Sequence, residues 1–175
     1  MISRWQYPQS ANIKGSLNVL RNGFRLANRT VKMAYFAPNS GLNEQSQALY
    51  QANIVKITRQ VVTEFDERVD LVISINGIPV ITIELKNPMS ATRWMVHDAI
   101  RQYQTERNPQ GKLFEFKNRT LVHFAADTDE VYMTTKLDGE STFFLPFNRG
   151  FNDGKGNPPI AGDVRTAYLW REILS

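Results

Sequence analysis

Apolar positions in this chain gather into short runs set apart by Gly, Pro and Asn, and the spacing inside each run predicts its element. Two runs, residues 69–75 and 78–85, flank Asn76-Gly77 and predict an antiparallel hairpin. Strand composition recurs at 54–62, 120–125 and 130–135, with a weaker alternation at 30–36. A short helix is predicted at 17–22, closing at Gly23, and another at 44–52, capped by Asn43 and burying Leu49. A third runs from a cap at Ser90 or Thr92 to about Glu106, ahead of Asn108-Pro109. Its Met95, Ala99 and Tyr103 fall four apart and form one packing stripe.

This order of helix, three strands, helix, strand and strand predicts an α/β domain with a mixed central sheet flanked by helices. The hairpin is antiparallel, while the later helix permits a parallel crossover. Residues 1–16 read as an N-terminal arm and 17–175 as a single domain. Its last part, 147–175, is loop-rich apart from a short helix at 167–174.

Side chains alternate across a strand, so the hairpin register decides which residues share a face. A two-residue Asn-Gly loop with an unbulged ladder sets Asp70 beside Ile83, polar face against oily face. A three-residue loop, Ile75-Asn76-Gly77 with Gly77 as a left-handed bulge residue, pairs Ser74 with Ile78 instead. Hydrophobic matching selects the second register. It places Asp70 opposite Thr82 and diagonal to Glu84, with Asp70, Glu84 and Lys86 on one face.

Composition narrows the chemistry. The absence of Cys excludes disulfides, thiol catalysis and thiolate zinc sites. His97 and His123, the only histidines, lie outside any metal-ligand spacing and read as structural. A formal net charge of +4 is compatible with a polyanionic partner without demanding one. No apolar run is long enough to cross a membrane and the N-terminus does not read as a signal peptide, so a cytoplasmic protein is expected. Gly154-Lys155-Gly156-Asn157 lacks the frame of a phosphate-binding loop, so ATP hydrolysis is not expected of this chain. Lys56, Arg59, Arg93, Arg101 and Arg107 are candidate phosphate contacts, Arg93 and Arg101 foremost.

The plain reading of Asp70 and Glu84 is ion pairing with Arg68 and Lys86 at a sheet end. Acidic residues are depleted inside strands, however, and Glu84 follows an almost continuous apolar run. Two carboxylates on one face can hold a hard divalent cation, with the Leu85 carbonyl and water completing an oxygen shell. Lys86 shares that face.

Asp70 followed after thirteen residues by Glu84-Leu85-Lys86 resembles the signature of the PD-(D/E)XK nuclease superfamily. Five stretches are similar to the N-terminal endonuclease region of the R subunit of type I restriction enzymes. These are Ser40-Gly41-Leu42-Asn43, Asn76-Gly77-Ile78-Pro79, Ile83-Glu84-Leu85-Lys86-Asn87-Pro88, Asp98-Ala99-Ile100-Arg101-Gln102-Tyr103 and Phe144-Leu145-Pro146-Phe147-Asn148.

The resemblance implies a restriction-endonuclease-like core and a Mg²⁺-dependent DNA endonuclease module, with Mn²⁺ able to substitute. Asp70 and Glu84 then bind the metal, and Lys86 orients or activates the attacking water. Glu44 stands where many such nucleases carry a further acidic residue, and serves equally as a helix-dipole partner. Gln102 matches the Gln of a Gln-x-x-x-Tyr motif and is placed near the scissile phosphate. Glu106 stands where the Tyr belongs, and Tyr103 reads as core. Implied partners are double-stranded DNA, the motor region of the same R polypeptide, and the modification and specificity subunits of a type I complex, with ATP used only by the motor. The alternative is a non-catalytic DNA-binding or subunit-docking module that retains the nuclease fold.

Overall fold

The computed structural model describes residues 15–87, 95–151, 153 and 156–175. Most of the expected arm, the Ser90 and Thr92 caps and Arg93 lie outside these residues. Six strands form a mixed sheet in strictly sequential order. They are β3 (Val55–Val62), β4 (Arg68–Ile75), β5 (Ile78–Leu85), β6 (Val122–Ala126), β7 (Val131–Thr134) and β8 (Leu145–Pro146). All neighbours run antiparallel except β5 and β6, which are parallel. That parallel step needs a crossover, and helix α3 (Val96–Thr105) supplies it.

The expected restriction-endonuclease-like arrangement, a mixed sheet between helices, is the one found. One face packs against α1 (Gly15–Asn22) and the C-terminal turns, through Val19, Leu20, Tyr168 and Leu169. The other packs against α3 through Val96, Ala99 and Tyr103. Gly15 and Ser16, assigned to the arm by sequence, are already in α1, where the Ser16 hydroxyl donates to the Asn118 carbonyl at 2.6 Å. The helix closes at Gly23, whose φ of +74° suits a residue without a side chain.

Several sequence expectations need correction. The strand expected at 30–36 is only β2 (Arg29–Val31), paired with β1 (Phe24–Leu26) in a small separate hairpin. The second helix, α2 (Glu44–Gln51), starts as expected, with the Asn43 side chain accepting from the Ser46 N–H at 2.9 Å, but buries none of its residues, Leu49 included. The α3 stripe is Val96, Ala99 and Tyr103; Met95 is the N-cap residue and exposed. Asp127, from the β6–β7 turn, accepts the Val96 N–H at 2.8 Å and so caps this helix from another element. The last helix is a 3₁₀ turn (Arg165–Ala167) followed by a π-type turn (Leu169–Ile173).

The β4–β5 hairpin departs furthest from the expected geometry. Its turn has two residues, Asn76 (φ +49°) and Gly77 (φ +86°), the two left-handed positions of a type I′ turn, and Ile75 pairs with Ile78. Three residues on, the register shifts. Ser74 pairs with Pro79 but Ile73 pairs with Ile81, so Val80 is an inserted residue. Val80 and Ile81 consequently pack against the same core, the α1 side, although they are adjacent in sequence. Pro79 has no N–H to offer the ladder, which makes this the natural place for it to break. Beyond the bulge Val72 pairs with Thr82 and Leu71 with Ile83, and continuing the ladder by one residue sets Asp70 directly opposite Glu84. The carboxylates therefore share a face, as hydrophobic matching requires, but through a bulge inside β5 rather than at the turn.

Candidate active site

Asp70 and Glu84 lie at the end of β4–β5 remote from the turn, on the face covered by α3. The two carboxylates have different surroundings. Glu84 is fully buried, while Asp70 is half-buried at the margin. Asp70 is held by neutral donors: Gln60 Nε2 donates to Oδ1 and the Leu85 N–H to Oδ2, both at 2.9 Å.

Glu84 is met by Arg107, a residue that sequence reading placed among phosphate contacts. Arg107 is instead buried, with Nε and Nη2 each 2.8 Å from Glu84 Oε1. The same guanidinium donates to the Arg68 carbonyl at 2.9 Å and to the Glu106 carbonyl at 3.3 Å, which ties the residues after α3 to the start of β4. Among the described residues Glu84 Oε2 has no hydrogen-bond partner. Burial pushes the Glu84 carboxyl up to about 7; Arg107 opposes this, and the neighbouring Asp70 charge adds to it.

Lys86 extends past the end of β5, its N–H bonded to the Ala126 carbonyl at 2.9 Å and its Nζ donating to Gln102 Oε1 at 2.5 Å. Gln102 and Lys86, assigned separately to one site by sequence, are thus in direct contact. Tyr103, the next residue along α3, explains why Gln102 points there. It is fully buried, and its hydroxyl shares a 2.8 Å hydrogen bond with the Thr82 hydroxyl, which also lies 2.7 Å from His123 Nδ1. This polar knot under the sheet pins one side of α3 and turns the neighbouring side chain toward the strand ends. Burial pulls His123 down to about 4, so it sits in the core as a neutral ring.

Glu44 does not join the pair: among the described residues no group of three or more His, Asp and Glu gathers as a metal cluster. Arg101 is exposed on α3 and paired with Asp98 at 2.9 Å. Glu106, where the motif calls for Tyr, is the exposed C-cap residue of α3. Sequence reasoning missed Gln60 and the pairing role of Arg107. No described helix is long and apolar enough to cross a membrane.

The arrangement leaves two carboxylates against one buried guanidinium, with an unpartnered oxygen on the buried carboxylate. Such an atom is costly in a dry site unless something electropositive meets it. Two carboxylates are a donor set of the kind a hard divalent cation takes, and Asp70 and Glu84 are the candidates to hold one.

A family model described as the type I restriction enzyme R protein N terminus matches residues 9–142. The type I restriction enzyme EcoprrI endonuclease subunit of Escherichia coli is 28% identical over 115 residues, which covers 62% of this chain and 37% of that protein. The chain therefore spans little more than a third of that relative's length. No solved structure matches it. The family match takes in the whole β4–β5 hairpin, Lys86 and α3, and on that extent the chain belongs to the family of type I restriction enzyme R protein N-termini.

Proposed function

We propose that this chain is the Mg²⁺-dependent DNA endonuclease module of a type I restriction enzyme R subunit. One observation carries the reading: Asp70 stands opposite Glu84 beyond the Val80 bulge, with Glu84 Oε2 left without a partner among the described residues. Asp70 and Glu84 would hold the metal. The Leu85 carbonyl is a further candidate ligand, because a strand residue directs its N–H and C=O to the same edge and the Leu85 N–H already meets Asp70. A bound Mg²⁺ supplies charge neutralisation at the phosphodiester and lowers the proton affinity of water.

The chain's own residues do the rest. Arg107 keeps Glu84 from carrying an uncompensated charge and engages Oε1, which leaves Oε2 without a hydrogen-bond partner among the described residues. Lys86 brings an ammonium to the exposed end of the site, where it can orient the attacking water and meet developing negative charge. Gln102 holds that ammonium in place, and in this reading its amide would meet the scissile phosphate group. Double-stranded DNA is the substrate. The remainder of the R polypeptide, with its ATP-driven motor, and the modification and specificity subunits are the partners, in a bacterial or archaeal cytoplasm.

The docking-module reading draws support from one feature. β3 is an edge strand with Val55 and Ile57 more than 60% exposed, next to Ile54 at 67%. Lys86→Ala in the intact complex separates the two readings. Lost cleavage with retained translocation supports the nuclease, whereas retained cleavage refutes it. A second test addresses the metal: unchanged Mg²⁺ binding after joint Asp70→Ala and Glu84→Ala substitution removes those residues from metal binding.

A further inference from the structure

Gln60 is an anomaly in β3. Its φ is +52°, in the left-handed region that an L-residue with a long side chain rarely adopts, and it lies within a strand rather than in a turn. No inserted residue accounts for it. Arg59 pairs with Leu71 and Val61 with Val69, so the β3–β4 ladder keeps one register on both sides. Packing does not account for it either, because Gln60 is exposed. What the conformation does accomplish is a contact: Gln60 Nε2 donates to Asp70 Oδ1 at 2.9 Å. Strained backbone held in place at a site is a pointer to function when the strain is itself observed.

The consequence for Asp70 is specific. With the Leu85 N–H on Oδ2, each oxygen of this carboxylate has one donor, from strands on either side of β4. Both donors are neutral. They set the plane of the carboxylate without cancelling its charge, and each oxygen keeps lone-pair capacity for another partner.

We infer that Gln60 is a positioning residue that fixes the Asp70 carboxylate against Glu84 for a divalent cation. The inference rests on the reading of Asp70 and Glu84 as cation ligands. Outer partners of this kind typically change metal affinity by about 10-fold or more when removed. A neutral amide suits the task better than Lys or Arg, whose charge would compete with the cation.

Mn²⁺ binding to the 175-residue chain, followed by paramagnetic resonance or calorimetry, tests it in three proteins: wild type, Gln60→Gly and Asp70→Asn. Glycine accepts the left-handed backbone freely, so Gln60→Gly keeps or raises resistance to urea while it deletes the amide. The expected result is wild-type binding, loss in Asp70→Asn, and a Kd raised about 10-fold in Gln60→Gly with no loss of stability. If Gln60→Gly fails to fold, Gln60→Asn takes its place; it tolerates the same backbone but ends one methylene short of Asp70, and the same weakening is expected. A Kd within about twofold of wild type for a folded Gln60 variant, alongside loss in Asp70→Asn, overturns the role of Gln60 and leaves the cation site standing. Wild-type binding that is absent, or indifferent to Asp70→Asn, removes the site and the role of Gln60 together.

Discussion

Arg107 meets Glu84 through Nε and Nη2, both 2.8 Å from Oε1, and neither side chain is more than 4% exposed. Breaking a buried pair by removing one partner is far more damaging than the net worth of the pair, because the other charge is left in a dry site. Arg107→Met is therefore expected to cost about 3 kcal/mol at pH 8. Glu84 has an escape, since burial already favours its protonated form and loss of Arg107 favours it further. The cost should fall to less than half at pH 5.5. Urea unfolding at the two pH values checks this; an equal loss at both would mean that the pairing charge is not what Arg107 contributes.

Cation binding should carry the mark of the same group. The Glu84 carboxyl, pushed up to about 7 chiefly by burial, must shed its proton to act as a ligand. Below pH 7 the proton competes, and apparent affinity should drop about tenfold per pH unit, flattening above pH 7. Without a cation the sign is opposite. A carboxyl whose folded value lies above its unfolded one contributes stability that is full below 4.5 and lost as pH rises through about 7. Divalent cation should thus stabilise the fold much more at pH 8 than at pH 6. Thermal melts with and without Mn²⁺ measure it, and an equal shift at both pH values would exclude Glu84 from the site.

What the sequence made legible is what period and turn chemistry control. The hairpin, the shared face of Asp70, Glu84 and Lys86, and the helix that carries Gln102 all follow from local pattern. The Val80 bulge was also marked, by a proline inside a strand and by two adjacent apolar residues after it, but a turn-centred reading placed the irregularity at Gly77. Arg107 was hidden for another reason. An arginine at a helix C-terminus reads as a dipole partner or a surface cation, and only tertiary structure brings it to a glutamate 23 positions earlier. Gln60 has no local signature at all, because nothing in the sequence announces a left-handed glutamine in a strand.

The neutral His123 under the sheet sets an acid limit. Its folded value of about 4 lies below the ordinary 6.5, so the unfolded chain binds the extra proton between those values. Stability from this residue is full above pH 6.5 and is lost as pH falls through about 4, amounting to about 3 kcal/mol. Titration of the His123 ring followed by proton NMR should show it still neutral at pH 5.5. A midpoint near 6.5 would mean that the ring is not sealed with Thr82 and Tyr103.

Asn76 couples the hairpin turn to elements well outside it. Besides adopting φ +49°, its side chain accepts from the Ile54 N–H at 2.7 Å and donates to the Met33 carbonyl at 2.8 Å and to Asn53 Oδ1 at 2.9 Å. Two costs are therefore separable. Asn76→Gly keeps the left-handed backbone and loses only the side-chain bonds, about 1–2 kcal/mol. Asn76→Ala loses the bonds and adds strain at positive φ, roughly 1 kcal/mol more. The order expected in urea unfolding is wild type, then Asn76→Gly, then Asn76→Ala. The Asp70–Glu84 end of the hairpin lies beyond the Val80 bulge, so divalent-cation affinity should be unchanged in Asn76→Gly. A large loss of affinity there would mean that the turn, and not the bulge, sets the register between Asp70 and Glu84.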